Sequence, residues 1–413
     1  MIPSNQINIE LALKNFRSYK NDPTSLNLST SLSEFCDHQV YIKWETTLPT
    51  GAFKERGALN FLLNHLTNKN NTKSVTFCAA SAGNHALGLA YHSKRLGVKC
   101  VLVMPTVAPI TKVKQAEKFG AEVIIKGANF DEAKDAAFEL TSSKNYFFVP
   151  AFDHEDIIAG QGTIGVELLE QLPDVDCVIS PIGGGGLISG ISIALKELGS
   201  KAHIVGVQSE WAVRYQKTIV NEANKFLRGT LADGIAVKVP GELTQSIIDK
   251  NVDQLVAVSE NEIASAMIFF LEREKKVIEG AGAVGIIPIM KNLLPRGIKK
   301  TVVIVSGSNV DLNIISRLIS REMATRSQMV KLLLTVPDRP GVLHSLSGAF
   351  AKHGANVLEV FYDRSFSYSP GDVDVTFVIE VKDLAHRDIV LKEVENLGIL
   401  IKILSPSTSE EQR

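Results

Sequence analysis

A single lysine, Lys54, stands where a short motif can hold an amine ready for chemistry. The stretch "PTGAFKERGALN", residues 49–60, places it after a Thr-Gly turn and before a helix-forming run, Glu55 to Leu63. A lysine that only solvates a surface needs neither the turn nor the helix. An amine held at such a strand-to-helix corner is suited to form a Schiff base with an aldehyde. Lys54 is therefore the first candidate for covalent chemistry.

Three loops of small residues follow predicted strands. They are "SAGNHA" at residues 81–86, "PIGGGGLISG" at residues 181–190 and "SGSNVD" at residues 306–311. In open α/β sheets, ligands bind outside the carboxyl ends of the strands. The sequence therefore predicts that these loops belong to a ligand site.

Four successive glycines, Gly183–Gly186, come directly before a helix predicted to begin at Leu187. Bare backbone amides next to the positive end of a helix form a phosphate cradle. The dinucleotide motif GxGxxG would need a glycine at Ile188 or Ser189, and the ATP-type loop would need a following Gly-Lys-Ser/Thr. The pattern therefore favours a compact phosphate. A turn that only connects two elements remains the alternative.

These features together suggest pyridoxal phosphate, whose aldehyde reacts with a lysine amine. Lys54 would carry the cofactor, and Phe53 would form a wall near its ring. Asn84 would donate to the phenolic oxygen, and Ser306 would bond the pyridine nitrogen. A hydroxyl cannot hold that nitrogen protonated as a carboxylate does, so the ring would be a weaker electron sink. Such a site favours elimination from an amino acid with a β-hydroxyl group.

The predicted strands and helices that must position these residues indicate an α/β fold. Short β-branched runs alternate with amphipathic segments, which is typical of parallel sheets covered by helices. The predicted strands are Val40–Trp44, Val75–Ala79, Cys100–Met104, Glu122–Ile125, Phe147–Val149, Cys177–Pro181, His203–Gln208 and Thr301–Val305. The predicted helices include Ala86–Leu96, Thr111–Phe119, Gly162–Gln171 and Asn261–Glu274.

The order of predicted strands and helices changes near residue 328. An order of strand, helix, two strands, helix, strand follows, which is the split ferredoxin-like α+β unit. In "DVDVTFVIEV" the apolar residues alternate, so that they share one face of a strand. The predicted domains are a catalytic domain at 1–327 with a small subdomain at about 48–150, a second domain at 328–405, and a disordered tail at 406–413.

Charge and composition exclude several classes of partner. The formal net charge is −1, and no basic run is long enough to follow a nucleic-acid backbone or an anionic membrane. The N-terminus carries no apolar signal core, and no apolar run reaches membrane-spanning length. A cytoplasmic enzyme that binds neither nucleic acid nor membrane is expected.

The motifs occur together in a known order. "TGAFKERGA", "SAGNHALG", "AGQGTIGVELL", "PIGGGGLISG", "TLADGIAV", "EGAGAVG" and "SGSNVDLN" resemble, in order and spacing, those of the threonine ammonia-lyases, also called threonine dehydratases. These are pyridoxal-phosphate enzymes of the tryptophan-synthase-β fold type, that is, fold type II. "VPDRPGVL" and the sequence after it resemble an ACT domain, a small module that binds amino acids. The resemblance covers nearly the whole chain and corresponds to the medium-length form with one ACT domain.

The resemblance implies a role for each matching residue. Lys54 would be the Schiff-base lysine and the general base at the α-carbon. The implied cofactor-binding residues are Phe53, Lys54, Asn84, Gly183, Gly184, Gly185, Gly186, Leu187 and Ser306. The implied substrate-binding residues are Ser81, Ala82, Gly83, Asn84 and His85. A weaker implication places an effector at Asp338, Arg339, Pro340 and Gly341, although "DRPG" also reads as a turn that starts a helix.

The sequence departs from the family at several positions. Leu48, Ala52 and Leu87 replace residues that are commonly polar, which suggests a reshaped pocket. Gln208 stands where cation-binding members have a glutamate, so no metal site is expected. Ala82 stands where serine racemases of this fold have a serine that moves a proton on the opposite face. An alanine disfavours racemase activity.

Three hypotheses follow. The first is threonine deamination to 2-oxobutanoate and ammonia, with serine as a slower substrate. An ACT domain would then bind isoleucine or valine within a homodimer or homotetramer. The second keeps the cofactor but prefers serine or threo-3-hydroxyaspartate. The third is a catalytically silent amino-acid sensor. The sequence leaves open whether Glu279, which opens "EGAGAVG", lines the pocket.

Overall fold

A computed structural model describes most of the chain, and its contacts divide into two compact units, Met1–Val310 and Asp311–Arg413. The described residues are 7–19, 22–67, 75–144, 146–215, 229–364 and 371–404. The predicted tail at 406–413 lies outside them. Within these ranges, no helix is both long and apolar enough to cross a membrane.

The first unit contains two sheets with helices packed on them. Its strands in the described residues are β1 (Leu26–Leu28), β2 (Gln39–Trp44), β3 (Thr76–Ala80), β4 (Lys99–Met104), β5 (Glu122–Ile125), β6 (Phe147–Phe148), β7 (Cys177–Pro181), β8 (His203–Ser209), β9 (Gln254–Val258) and β10 (Lys300–Val305). The larger sheet has the order β1-β2-β10-β7-β8-β9, and the smaller has the order β5-β4-β3-β6. All pairs are parallel except β1 with β2.

The helices of the first unit connect these strands. Those in the described residues are α1 (Ile9–Ser18), α2 (Thr30–Ser33), α3 (Lys54–Thr67), α4 (Asn84–Leu96), α5 (Ile110–Lys118), α6 (Phe130–Lys144), α7 (Glu155–Gln171), α8 (Gly186–Glu197), α9 (Glu242–Asn251), α10 (Glu260–Phe269), α11 (Gly280–Ala283) and α12 (Ile287–Met290). A π-helical turn, Phe270–Glu274, continues α10.

The eight predicted strands of this unit are confirmed, with ends that differ by at most one residue. Two strands were not predicted. β1 has three residues and β9 has five, and both lie at the edges of the larger sheet. β1 (LNL) contains no β-branched or aromatic residue, so its composition does not mark it as a strand. The composition of β9 (QLVAV) offers no comparable explanation.

The second unit is an α+β sandwich. Its elements in the described residues are α13 (Leu312–Thr325), β11 (Met329–Pro337), α14 (Val342–Lys352), β12 (Asn356–Asp363), β13 (Asp372–Glu380), α15 (Leu384–Glu395) and β14 (Leu400–Ile403). The sheet order is β12-β13-β11-β14, with all pairs antiparallel. The predicted element order is confirmed. The alternating residues of β13 are buried as predicted, and they are Val373, Val375, Phe377 and Ile379, followed by Val381.

The contact division places α13 in the second unit, whereas the sequence prediction counted it with the catalytic domain. The boundary at residue 328 therefore stays a prediction.

Close helix packing fixes the start of α3, where Lys54 lies. A Cβ added to Gly160 on α7 would lie 2.5 Å from the Cα of Gly57 on α3, which leaves no room for a side chain. On the other side of α7, a Cβ added to Gly190 on α8 would lie 2.4 Å from the carbonyl oxygen of Ile158. The helix that carries Lys54 is therefore held backbone to backbone against its neighbour.

A buried ion cluster anchors the same helix two residues after Lys54. The Arg56 guanidinium bonds Glu45 through Nε at 2.7 Å and Nη2 at 3.0 Å, and bonds Glu167 through Nη1 at 2.6 Å and Nη2 at 2.9 Å. The Lys43 ammonium also reaches Glu167, at 2.7 Å. All four side chains are almost fully buried. Burial opposes the charge of Glu167, but Arg56 and Lys43 hold its pKa below the ordinary value.

Arg56→Met should destabilise the first unit by about 3–5 kcal/mol, because it leaves two buried carboxylates without their main counter-ion. Both tryptophans, Trp44 and Trp211, lie in this unit, so urea unfolding followed by tryptophan fluorescence reports on it. The matched control is Arg17→Met, which removes an exposed pair with Glu170 and should cost at most about 1 kcal/mol. Equal losses for the two variants would contradict the anchoring role of Arg56.

Candidate active site

The turn before Lys54 runs beside the loop that follows β10. The main-chain N–H of Phe53 donates to the Ser306 carbonyl over 3.0 Å, and the N–H of Ser308 donates to the Gly51 carbonyl over 2.9 Å. Lys54 is the first residue of α3. The paired turns therefore bring the predicted lysine and the predicted pyridine partner, Ser306, into one site.

The Lys54 amine is held in a water-poor position. Its Nζ donates to the carbonyl of Ala151 over 2.8 Å and lies 5.1 Å from the centre of the Phe53 ring. Burial lowers the pKa of Lys54 to about 8, and the Glu279 carboxyl opposes this shift. Roughly a tenth of the amine is therefore unprotonated at pH 7, far more than for an ordinary lysine, and this neutral form is the one that acts as a nucleophile or base.

Glu279 places a carboxyl group in the same site. Its side chain is buried, and Oε1 accepts a hydrogen bond from Asn84 Nδ2 at 2.7 Å. Burial raises the pKa of Glu279 to about 8, with a further contribution from Asp233, while the bond from Asn84 opposes the shift. A Cβ at Gly307 would lie 2.0 Å from Oε1, so the loop after β10 passes directly over the carboxyl.

Two side chains contact Asn84, and neither was among the predicted site residues. One is Glu279, which the sequence left open, and the other is Asn309, whose Nδ2 donates to Asn84 Oδ1 over 2.8 Å. The available signal was a polar residue within a run of small ones, in "EGAGAVG" and in "SGSNVD". That pattern does not distinguish a residue that faces a site from one that shapes its own loop.

The tetraglycine loop Gly183–Gly186 connects β7 to α8 with no side chain to cover its amides. Gly185 has a φ of +87°, a conformation that favours glycine. A Cβ there would lie 2.9 Å from the Tyr215 hydroxyl, and one on Gly184 would lie 2.2 Å from the Phe152 ring. Helix α8 begins at Gly186, so its positive end faces the loop. The neighbouring Leu187 packs in the core of the larger sheet and leaves only its backbone for a ligand.

Ser306 completes the set of predicted cofactor residues. Its side chain is buried, and Oγ lies 3.5 Å from the carbonyl of Ala281, at the limit of a hydrogen bond. The hydroxyl can therefore turn its proton toward a ring nitrogen at little cost.

The predicted substrate loop lies between β3 and α4. Ser81 Oγ accepts the N–H of Gly83 over 3.2 Å, and Ala82 packs against the core of the smaller sheet. His85 Nε2 lies 3.0 Å from the carbonyl of Val149. Because a carbonyl only accepts, Nε2 carries the proton. Burial, helped by Lys54, lowers the pKa of His85 to about 4, so the ring is neutral.

Two of the three substitutions expected to reshape the pocket lie in hydrophobic cores. Leu48 packs with Phe16 and Leu59, and Leu87 belongs to the core of the smaller sheet. Ala52 is fully buried and bridges to Gly307.

The Gln208 carboxamide forms hydrogen bonds to the backbone of the segment that follows β8. Its Oε1 accepts the N–H groups of Arg214 at 2.9 Å and Tyr215 at 3.1 Å, and its Nε2 donates to the Tyr215 carbonyl at 3.4 Å. The carboxamide thus ties the chain that follows β8 back to the strand.

The predicted effector residues, Asp338–Gly341, lie between β11 and α14 in the second unit. Asp338 accepts from the Tyr362 hydroxyl at 2.7 Å and pairs with Arg364 Nε at 3.1 Å. The bond from Tyr362, followed by Arg364, holds the pKa of Asp338 below its ordinary value. Gly341 has a φ of +92° and is the N-cap of α14, so the helix begins at Val342, two residues after Pro340, which the turn interpretation places at the helix start.

The residues present fit pyridoxal phosphate. Lys54 supplies an amine of lowered pKa for an aldehyde. The glycine loop supplies backbone amides beside the start of α8, and a Cβ at any of its four positions would lie within 3.0 Å of a neighbouring residue. Ser306 supplies a hydroxyl for the ring nitrogen, and Asn84 supplies an amide donor for an oxygen.

Comparisons with known proteins agree with this fit. The family model described as pyridoxal-phosphate dependent enzyme matches residues 18–307, and the ACT domain model matches residues 330–398. The chain is 41% identical to an L-threonine ammonia-lyase of Thermotoga maritima, over 92% of this chain and 95% of that protein.

Two solved structures each align with about three quarters of this chain. A threonine deaminase isoform of Solanum lycopersicum aligns with a TM-score of 0.68 and 29% identity, over 77% of this chain and 88% of that one. A pyridoxal 5'-phosphate-dependent aspartate racemase aligns with a TM-score of 0.68 and 31% identity, over 76% of this chain and 98% of that one. These matches confirm the predicted fold type and cofactor. The chain therefore belongs to the family of pyridoxal-phosphate dependent enzymes of fold type II, in the form that carries a C-terminal ACT domain.

Proposed function

We propose that the protein eliminates the hydroxyl group of L-threonine, giving 2-oxobutanoate and ammonia, and acts on L-serine as a secondary substrate. The observation that carries the proposal is the similarity to an L-threonine ammonia-lyase along both units, with Lys54, Asn84 and Ser306 in one site. We also keep a cytoplasmic location as a prediction.

Bound pyridoxal phosphate supplies an electron sink for negative charge at the α-carbon of the amino acid. Lys54, with its pKa of about 8, takes the proton from that carbon as the general base. Ser306 holds the ring nitrogen through a neutral hydroxyl, which keeps the sink weak and favours loss of a leaving group. The amides of Gly183–Gly186 bind the phosphate, and the loop Ser81–His85 receives the substrate carboxylate.

Ala82 supports elimination over racemisation. The first unit also resembles a racemase structure, so the fold alone does not separate the two reactions. A methyl group cannot deliver a proton to the opposite face of the α-carbon. A preference for serine or threo-3-hydroxyaspartate loses much of its support, because Leu48 and Leu87 lie in cores.

We further propose that the second unit binds a branched-chain amino acid at Asp338–Gly341 and that the protein assembles as a homodimer or homotetramer. The ACT domain match supports an amino-acid site, and Asp338 in the turn before α14 offers a carboxylate that a ligand's ammonium could share with Tyr362 and Arg364. Isoleucine as an inhibitor and valine as its opponent are the candidate effectors.

Lys54→Ala should reduce threonine deamination by at least about 10³-fold, because it removes both the cofactor anchor and the base. The measurement follows 2-oxobutanoate and ammonia together, with serine and threo-3-hydroxyaspartate as competing substrates. Lys126→Ala is the matched control, since this exposed lysine pairs only with Glu139 among the described contacts. Threonine being the poorest of the three substrates would overturn the proposal, and so would full activity of Lys54→Ala.

The rate at which cofactor-free protein takes up pyridoxal phosphate should rise by about tenfold per pH unit and level off above pH 8 or so, because only the neutral amine of Lys54 attacks the aldehyde. Glu279→Gln should move the midpoint downward, since the carboxylate favours the charged ammonium. Stopped-flow absorbance across a pH series gives the midpoint. A midpoint at the ordinary lysine pKa, or an upward movement in Glu279→Gln, would contradict this electrostatic pairing.

Isoleucine or valine should release or absorb heat on binding, and Asp338→Asn should weaken that binding by about tenfold because an acceptor for the ligand's ammonium loses its charge. Titration calorimetry of the full chain makes the measurement. Asp388→Asn on α15, where Asp388 pairs with Arg387, is the control. No heat from either amino acid at about millimolar concentration would count against an effector site.

A further inference from the structure

A chain of hydrogen bonds crosses the cofactor site from a main-chain carbonyl to a buried carboxyl. Asn309 Nδ2 donates to the Thr50 carbonyl at 2.7 Å and to Asn84 Oδ1 at 2.8 Å. Asn84 Nδ2 in turn donates to Glu279 Oε1 at 2.7 Å. The four groups come from four separate stretches of the first unit.

The orientation of each amide in this chain follows from what its partner can do. A main-chain carbonyl has no proton to give, so the atom of Asn309 that faces Thr50 must be the nitrogen. The same nitrogen faces Asn84, so Asn84 must present its oxygen there. The nitrogen of Asn84 is then left for Glu279 and for the space in which the cofactor binds.

Glu279 alone cannot fix the orientation of the Asn84 amide. Its pKa of about 8 means that the carboxyl carries a proton in much of the population at neutral pH. A protonated carboxyl can donate as well as accept, so it satisfies the Asn84 amide in either orientation. The Thr50 carbonyl has no second state, and it is the fixed end of the chain.

The Thr50 peptide is itself held in place. Its N–H donates to Glu55 Oε2 at 3.1 Å, and the following residue, Gly51, donates to the Leu48 carbonyl at 2.8 Å. Glu55 is fully buried on α3, one residue after Lys54. The carbonyl that fixes the amides is therefore part of the turn that delivers the lysine.

We propose that Asn309 is a positioning residue that sets the orientation of the Asn84 amide, so that Asn84 presents an N–H donor, rather than an oxygen, to the cofactor. The Thr50 carbonyl is the reference group for this orientation. The inference rests on the role of Asn84 as a cofactor ligand within the proposed function. It assigns Asn309 a part in cofactor binding without direct contact with the cofactor.

The test replaces the hydrogen-bond donor at position 309 with an acceptor. In Asn309→Asp, a carboxylate faces Thr50 and can only accept, so the Asn84 amide turns and donates its N–H groups away from the cofactor. Pyridoxal phosphate should bind about 10- to 100-fold more weakly, the loss expected for one hydrogen bond to a charged group. The absorbance spectrum of the bound cofactor should also change, because its phenolic oxygen loses a donor.

The measurement is a titration of cofactor-free protein with pyridoxal phosphate, followed by absorbance and by equilibrium dialysis, with no amino acid present. Ser308→Ala is the matched control, because Ser308 lies in the same loop as Asn309, whereas its Oγ bonds, among the described residues, the Gly51 carbonyl rather than Asn84. It should leave the affinity and spectrum unchanged. The titration contains no threonine, so it tests the role of Asn309 even if the protein does not turn over threonine. Conversely, normal cofactor binding by Asn309→Asp would overturn the role of Asn309 but not the proposed threonine deamination.

A double-mutant comparison separates orientation from the added charge. In the Asn84→Ala background, Asn309→Asp should cause no further loss of affinity, since no amide remains to turn. A loss of the same size in both backgrounds would mean that the new charge acts by itself, and would overturn the proposal. If Asn309→Asp does not fold, Asn309→Ala takes its place. It should weaken binding in the wild-type background only, and equal loss in both backgrounds again overturns the inference.

Discussion

The Arg56 guanidinium, held between Glu45 and Glu167, is the interaction on which the rest of the first unit depends. It joins the end of β2, the start of α3 and the middle of α7 in one buried cluster. A buried ion network of this kind contributes little net stability compared with apolar packing, but it permits one geometry. Since Lys54 lies two residues earlier on the same helix, that geometry also fixes where the reactive amine lies.

The candidate site contains a buried amine and a buried carboxyl, which carry opposite charges when ionised. Lys54 and Glu279 are both drawn toward their neutral forms by loss of water, and the Glu279 carboxylate favours the charged form of Lys54. Both pKa values lie near 8, so at pH 7 the Lys54 amine and the Glu279 carboxyl are each protonated in roughly nine-tenths of the population. The main charge of this pair is then the positive charge of Lys54, which suits an anionic cofactor.

Much of the fold could be predicted because its signals are local. The strands of both sheets have β-branched runs between glycine or polar breaks, and β13 alternates strictly, so their period is unambiguous. The sequence singled out the lysine, the glycine loop and Ser306 because each is an unusual residue at a fixed place, and their roles as cofactor ligands stay predictions. β1 could not be predicted, since Leu26–Leu28 contains no β-branched or aromatic residue.

The side-chain contacts around the predicted site residues could not be predicted from the sequence. Asn309 and Glu279 meet Asn84 from segments far apart in sequence, and only the folded chain brings them together. Leu48 and Leu87 suggested a changed pocket because they depart from the family pattern, but both lie in cores. A substitution at a motif position does not say which way the side chain points.

The Thr50 carbonyl has a property that none of the side chains around it has. It belongs to the peptide backbone, so no substitution at position 50 that keeps the backbone path removes it. Natural variation can therefore change Thr50 freely as far as this bond is concerned, whereas an insertion or deletion between Thr50 and Lys54 would move it. We therefore expect the length of that turn to matter more for this hydrogen bond than the identity of the residue at position 50.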